Sequence, residues 1–137
     1  MRIIVDTNVV LDVLLDRAPF AGTASQVFAQ IEKSQVEASL CATTITTIEY
    51  ILGQSLSASA VRNTLHRLFE LFDITTVNRS VIHEALQSKM NDFEDAVLAH
   101  SASLAGVDAI VTRNTKDFKH SPVKTFEPDE MLSVLGC

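Results

Sequence analysis

The stretch Arg2-Ile3-Ile4-Val5-Asp6-Thr7-Asn8 decides the fold class of this chain. Its first part, up to the valine, is a short apolar run rich in β-branched side chains, which predicts a buried strand. Its last three residues are turn and cap formers, so the strand ends there and a helix begins. The apolar residues that follow recur at helical spacing: Val9, Val10, Val13 and Leu14.

Short β-like runs alternate with longer helical segments along the rest of the chain. Strands are predicted at residues 2–5, 37–42, 73–77, 109–112 and 123–126. Helices are predicted at 22–33 and 43–52, after Ser57, at 80–89 and 92–105, and from Pro128 onward. The helix after Ser57 is expected to turn these side chains inward: Val61, Leu65, Leu68, Phe69 and Phe72. Such alternation predicts an α/β fold with a parallel sheet and helices on its faces, in which the ligand site lies beyond the carboxyl ends of the strands.

Length and composition predict a single domain, residues 1–137. With 47% hydrophobic and 20% charged residues, the chain has enough apolar side chains for a core and does not resemble a disordered protein. Asp6 interrupts the first apolar run too early for a signal peptide, and no apolar stretch approaches the ~20 residues of a membrane span. Cys41 and Cys137 lie far apart and do not form a disulfide framework. We therefore expect a cytoplasmic protein with no membrane segment.

Net charge limits the partners of this chain. Eleven Lys and Arg against seventeen Asp and Glu give −6 at pH 7, so unaided electrostatic attraction to nucleic acid is not expected. A nucleic-acid substrate would need a local basic rim or bound cations to offset the acids. A basic partner protein would be attracted to the chain as it stands.

Several acids fall where the ligand site of an α/β fold is expected. Asp6 follows the first strand, and Asp117 follows the strand at 109–112. Asp92 and Asp95 lie in the first turn of the preceding helix, and their spacing of three lets both project from one face. Glu49 lies in an apolar stretch, where an acid must be paired or metal-bound. Such oxygen ligands suit Mg²⁺ or Mn²⁺, and a pair of these ions can hydrolyse a phosphodiester through bound water.

Four motifs in this order resemble those of PIN-domain ribonucleases, and especially the VapC-type toxins of bacterial toxin–antitoxin pairs. They are I-I-V-D-T-N-V-V-L-D from Ile3, T-T-I-E-Y at Thr46–Tyr50, D-F-E-D-A-V-L-A at Asp92–Ala99 and V-T-R-N-T-K-D-F at Val111–Phe118. Each motif alone is weak, but the set covers nearly the whole chain. The resemblance implies a three-layer α/β/α sandwich around a central parallel sheet.

The resemblance also implies the roles of individual residues. The acidic tetrad of the family falls on Asp6, Glu49, Asp95 and Asp117, which would be the catalytic metal ligands. Asp92 ranks second to Asp95, as a helix cap or an outer ligand. Four further residues would support the site: Thr7, Asn8, Thr112 and Asn114.

Each of these residues also has an ordinary interpretation. Asp6 and Asp92 could be helix caps, Asp117 a turn residue and Glu49 a partly exposed helix residue. Three basic residues beside Asp117 could bind substrate phosphates or could simply be solubilising charges: Arg113, Lys116 and Lys119. The remaining acids singled out are expected to be solvated surface residues: Asp12, Asp16, Asp73 and Glu84.

The leading hypothesis is a Mg²⁺- or Mn²⁺-dependent endoribonuclease that acts as a toxin and is neutralised by a cognate antitoxin. The resemblance also implies a homodimer, for which an exposed apolar face of Phe20, Val27 and Phe28 is one possible interface. The alternative is a catalytically weak PIN domain that binds RNA or protein as a regulatory module. A phosphotransfer domain fits less well. A haloacid-dehalogenase-type phosphatase would need an aspartate where Asn8 stands, and Glu49 does not suit the phosphorylated position of a receiver domain.

Overall fold

All strands lie parallel in one sheet, and helices connect most of them. The computed structural model describes all 137 residues. The strands are β1 (Arg2–Val5), β2 (Glu37–Cys41), β3 (Asp73–Thr75), β4 (Ala109–Val111) and β5 (Thr125–Phe126). The helices are α1 (Thr7–Leu14), α2 (Ala21–Glu32), α3 (Ala42–Gly53), α4 (Ala58–Leu71), α5 (Arg79–Gln87), α6 (Phe93–Leu104) and α7 (Pro128–Val134). A short 3₁₀ helix, Thr115–Phe118, lies between β4 and β5.

Successive side chains of β1 enter two different cores, one on each face of the sheet. Ile3 and Val5 belong to the core formed with α1–α4 and α7, whereas Ile4 belongs to the core formed with α5 and α6. This alternation follows from the period of two along a strand. Because both faces are covered, the central strands carry apolar residues on both sides. The predicted three-layer α/β/α sandwich is confirmed.

The order of the strands creates a crevice at the centre of the sheet. The order is β3-β2-β1-β4-β5, so the chain proceeds from β1 outward to β3 and returns to pair β4 with the other side of β1. The connections therefore diverge between β1 and β4. In open α/β sheets, ligands bind beyond the carboxyl ends of the strands at such a switch point. Asp6 follows β1 directly and Thr112 follows β4, so both residues stand at this crevice.

Two predictions about helix faces were wrong. Phe69 of α4 was expected to point inward but is 69% exposed. Val27 and Phe28 of α2 were expected to form an exposed apolar face, yet both are buried in the core. Phe28 packs edge-on against Phe72, with 5.3 Å between the ring centroids. Because α2 packs against both α1 and α7, it buries a wider face than its sequence pattern alone defines.

The cap of α4 is the one that the sequence predicted. Ser57 caps α4, since its Oγ accepts a hydrogen bond from the backbone N–H of Ala60 at 3.1 Å. Both cysteines are free thiols, and Cys41 is buried at the end of β2. None of the helices is both long enough and apolar enough to span a membrane.

Candidate active site

A polar cleft of about 250 Å³ opens at the carboxyl end of the sheet. Its walls come from the β1–α1 junction, the first turns of α3, the start of α6 and the segment after β4. The polar side chains that line it are Asp6, Thr7, Asn8, Thr43, Thr44, Thr47, Asp92, Glu94, Asp95, Asn114 and Asp117. The cleft thus contains five carboxylates and no lysine, arginine or histidine.

The carboxylate of Asp6 forms the floor of this cleft and is only 5% exposed. Thr112 Oγ1 donates a hydrogen bond to Asp6 Oδ2 at 2.8 Å, and the backbone N–H of Asn114 donates to Thr112 Oγ1 at 3.0 Å. Asp6 occupies the N-cap position of α1, but its side chain makes no capping hydrogen bond. The ordinary interpretation of this carboxylate as a cap therefore does not explain its burial.

Asp92 and Asp95 have different surroundings at the start of α6. Asp92 is the N-cap, since its Oδ1 accepts a hydrogen bond from the backbone N–H of Asp95 at 2.9 Å. Asp95 lies one turn further along the helix, is half-buried and lines the cleft. The capping bond occupies one carboxylate oxygen of Asp92, whereas no hydrogen bond occupies the side chain of Asp95. Asp95 therefore has both carboxylate oxygens free for a ligand, whereas Asp92 has one; their ranking as metal ligands stays a prediction.

The carboxylates of the cleft oppose one another's ionisation. Burial raises the pKa of Asp6, although the hydrogen bond from Thr112 acts in the opposite direction. The pKa of Asp95 is also raised, to about 7 in all, and burial is the largest cause. Neighbouring negative charges supply the rest of that increase: Asp6, Asp92, Asp117 and Glu94. The cleft therefore favours a bound proton or a cation at neutral pH.

Glu49 does not lie in this cleft. It is exposed on α3 and lines a separate cavity together with Arg62 and His66. Thr47 of the same helix does line the cleft, and two residues along an α-helix correspond to a rotation of about 200°. Glu49 consequently projects from the opposite side of α3. It forms no salt bridge, so of the two expectations for this acid, pairing is not met and metal binding stays a prediction.

Glu94 is the carboxylate that the sequence reasoning missed. It projects from the first turn of α6 and lines the cleft, and Thr47 Oγ1 lies 3.3 Å from its Oε1. The same hydroxyl lies 3.0 Å from the carbonyl oxygen of Thr43, so it can donate to either group. Helical spacing of the threonines in the T-T-I-T-T stretch would have identified the face of α3 that meets α6.

The basic residues near Asp117 do not line the cleft. Arg113 is bound to Asp12, with 2.6 Å between its Nε and Oδ2, and its guanidinium lies 3.9 Å from the centre of the Phe20 ring. Asp12 was expected to be a solvated surface acid but is completely buried, which its salt bridges make possible. Lys116 and Lys119 are exposed beside the cleft.

The donor set of the cleft suits a hard divalent cation. No three His, Cys, Asp or Glu side chains stand close enough to hold a metal ion in their present rotamers. The groups are nevertheless all oxygen donors, the class that Mg²⁺ and Mn²⁺ prefer. Asp92, Glu94 and Asp117 are exposed, so they can turn without disturbing the core. The excess of negative charge is a physical reason for a cation to bind here.

Comparison with known proteins identifies the family. The sequence profile of the PIN domain matches residues 2–116. The chain belongs to the PIN domain family. The match includes Asp6, Asp92, Glu94, Asp95 and Asn114 and ends one residue before Asp117. The resemblance inferred from the motifs is thus confirmed at the level of the family.

Solved structures share the fold of this PIN domain. FitAB bound to an IR36 DNA fragment gives a TM-score of 0.72 at 20% identity, covering 92% of this chain and 94% of that one. A toxin–antitoxin complex from Klebsiella pneumoniae gives 0.68 at 21%, covering 91% and 96%. VapBC-1 from nontypeable Haemophilus influenzae gives 0.71 at 15%, covering 94% and 99%. Identities this low show a common fold alone. No curated protein matches the chain in sequence.

The raised pKa of Asp95 predicts that the metal-free protein is more stable at pH 5.5 than at pH 7.5. Between an unfolded pKa of 3.8 and a folded pKa of about 7, the folded state binds more protons, so stability falls as the pH rises through this window. After allowance for its partial exposure, we expect Asp95 to contribute about 1 kcal/mol to this difference. Urea denaturation of wild type and Asp95→Asn at both pH values measures it, because the substitution removes the titrating group. An equal pH dependence in the two proteins would contradict the prediction.

Proposed function

We propose that this PIN domain is a metal-dependent endoribonuclease and the toxin of a type II toxin–antitoxin pair. The observation that carries the proposal is the cleft at the sheet switch point, where five carboxylates meet without a neutralising basic side chain. PIN domains are generally nucleases, and an acidic cleft with no cation of its own suits catalysis by bound divalent ions.

Asp6, Asp95 and Asp117 would hold Mg²⁺ or Mn²⁺ in the cleft, and Asp92 and Glu94 would complete the set of oxygen donors. When bound, these ions acidify water and neutralise charge on the scissile phosphate. The protein's own part is to hold its oxygen donors in place.

The supporting residues fix the positions of the carboxylates. Thr112 orients Asp6 through the bond at 2.8 Å, and the backbone N–H of Asn114 orients Thr112 in turn. Thr7 Oγ1 and Thr44 Oγ1 lie 2.8 Å apart, which joins the start of α1 to α3 across the cleft. Asn8 supplies an amide to the wall. Such outer contacts determine how well a site matches its metal.

RNA would approach the cleft past the partly exposed segment that follows β4. Lys116 and Lys119 are the basic residues beside the cleft that remain unpaired, and we assign them to contacts with substrate phosphates. Arg113 is already bound to Asp12, so its proposed contact with RNA has no support from the geometry. Without metal, the carboxylates would repel the RNA backbone, so the ions serve substrate binding as well as hydrolysis.

The partner proposed for this toxin is a cognate antitoxin with a basic segment. The structural neighbours include complexes described as toxin–antitoxin complexes, and the net charge of −6 suits a cationic partner. We further propose that residues 1–137 form a single cytoplasmic domain that pairs with a second copy of itself.

A regulatory module that binds RNA or protein without cleavage is the second candidate. The observation that favours it is the spacing of the carboxylates, which do not form a ready metal site in their present rotamers. Metal-dependent cleavage of RNA separates the two candidates, because a nuclease of this kind cuts RNA with the bound ions and a binding module does not.

Purified protein is expected to cleave RNA in Mn²⁺ or Mg²⁺, and Asp6→Asn is expected to lower the rate at least a hundredfold. Asparagine keeps the shape of the side chain but removes the charge that holds a cation. A panel of structured and unstructured RNAs, total cellular RNA included, provides the measurement, with EDTA as a control. Cleavage that survives EDTA, or that Asp6→Asn retains, contradicts the proposal. If folded wild type binds metal but cuts no RNA and does not arrest growth on expression, the regulatory module is favoured.

Glu94→Gln is expected to weaken Mn²⁺ binding about tenfold or more, whereas Glu49→Gln leaves it unchanged. The two substitutions are chemically identical, but only Glu94 lines the cleft. Isothermal titration calorimetry on the folded variants measures the difference. Weaker binding by Glu49→Gln alone would return Glu49 to the ligand set that the motifs implied.

A further inference from the structure

A buried ion cluster lies behind the cleft and takes no part in the chemistry proposed above. Asp12 of α1 is completely buried and accepts hydrogen bonds from two arginines. Arg17 Nε donates to its Oδ1 at 2.9 Å, and Arg113 Nε donates to its Oδ2 at 2.6 Å. Arg113 Nη2 adds a longer contact of 3.3 Å to Oδ1. Both carboxylate oxygens of Asp12 are therefore in use, and none is free for a metal or for RNA.

The two arginines connect Asp12 to two walls of the cleft. Arg17 Nη2 donates to the backbone carbonyl of Asn8 at 3.0 Å, at the start of α1. Arg113 stands between Thr112, which orients Asp6, and Asn114, whose backbone orients Thr112. One buried carboxylate thus fixes both the segment after β1 and the segment after β4.

Arg113 is held in this position from a second side. Its guanidinium lies over the ring of Phe20 at 3.9 Å, in the connection between α1 and α2. A guanidinium bound to a carboxylate and stacked on an aromatic ring has little freedom to reach another anion. The geometry therefore assigns Arg113 to holding its own backbone rather than to binding substrate.

We propose that Asp12 is a positioning residue of the cleft, which acts through Arg113 on the Thr112–Asn114 segment and through it on the carboxylate of Asp6. The inference rests on the proposed metal-dependent function, because its effect is on how well the cleft holds a divalent cation. Outer contacts of metal ligands commonly change affinity 10–100-fold when removed.

The test is Mn²⁺ affinity, measured by calorimetry without RNA on the intact 137-residue chain. Asp12→Asn and Arg113→Met are each expected to weaken binding about tenfold, and the double variant to be no weaker than Asp12→Asn alone, since that substitution already removes the contact with Arg113. Arg113→Lys keeps the charge but not the bidentate geometry, and it is expected to restore part of the affinity. In RNA cleavage, the rate of the variants should fall at limiting Mn²⁺ and recover at saturating Mn²⁺, since the contact affects how well the cleft holds the ion.

Ser101→Ala is the matched control for a merely structural effect. Ser101 is buried in α6 and its hydroxyl lies 2.7 Å from Thr75 Oγ1, away from the cleft. Its loss should lower the melting temperature and leave Mn²⁺ affinity unchanged. If Asp12→Asn does not fold, the comparison of Arg113→Met with Arg113→Lys carries the test.

The outcomes separate this inference from the function on which it rests. Wild-type affinity in Asp12→Asn and Arg113→Met, together with lost affinity in Asp6→Asn, would overturn the positioning role and leave the proposed metal site standing. Additive effects in the double variant would also overturn it. Absence of Mn²⁺ binding by wild type would overturn both proposals.

Discussion

The burial of one carboxylate, that of Asp6, is the constraint on which the arrangement of this PIN domain depends. The side chain lies between β1 and β4, receives one hydrogen bond from Thr112 and forms no salt bridge. An isolated buried charge is costly, and its pKa is accordingly raised. Three further carboxylates of α6 and Asp117 face the same space, so the cleft holds far more negative charge than its own hydrogen bonds can offset. Such an arrangement is stable when protons or cations fill it.

The distribution of basic residues explains why the cleft remains acidic. The chain places two arginines on Asp12, which stands behind the cleft rather than in it. These two salt bridges neutralise Asp12, and they leave the carboxylates of the cleft without a basic partner. The arginines therefore serve the structure behind the cleft and not the cleft itself. A cation from solution, or a basic side chain of a partner protein, can then enter the cleft without competing with an internal salt bridge.

The sequence predicted the fold and the position of Asp6 better than it predicted which side chains of α3 and α6 line the cleft. Alternating strands and helices predicted a parallel sheet with helices on its faces, and the position of acids after strands and in a first helical turn predicted Asp6, Asp92, Asp95 and Asp117. The preference for Asp95 over Asp92 came from the resemblance of the motifs. Glu49 could not be placed in the same way, because a motif gives spacing along the chain but not the rotation of α3 against α6. Asp12 was misjudged for a related reason, since its partner Arg113 lies 101 residues away and only the folded chain brings them together. Glu94 was overlooked beside two acids that already matched the expected pattern.

Anomalous diffraction from crystals grown with Mn²⁺ tests the central claim most directly, namely that the carboxylates at the switch point form a cation site. We expect a strong peak between the carboxylates of Asp6 and Asp95, with oxygens of Asp117 or Glu94 completing the coordination and no peak at Glu49. A peak beside Glu49 and His66, or an empty cleft at saturating Mn²⁺ and neutral pH, would contradict the claim.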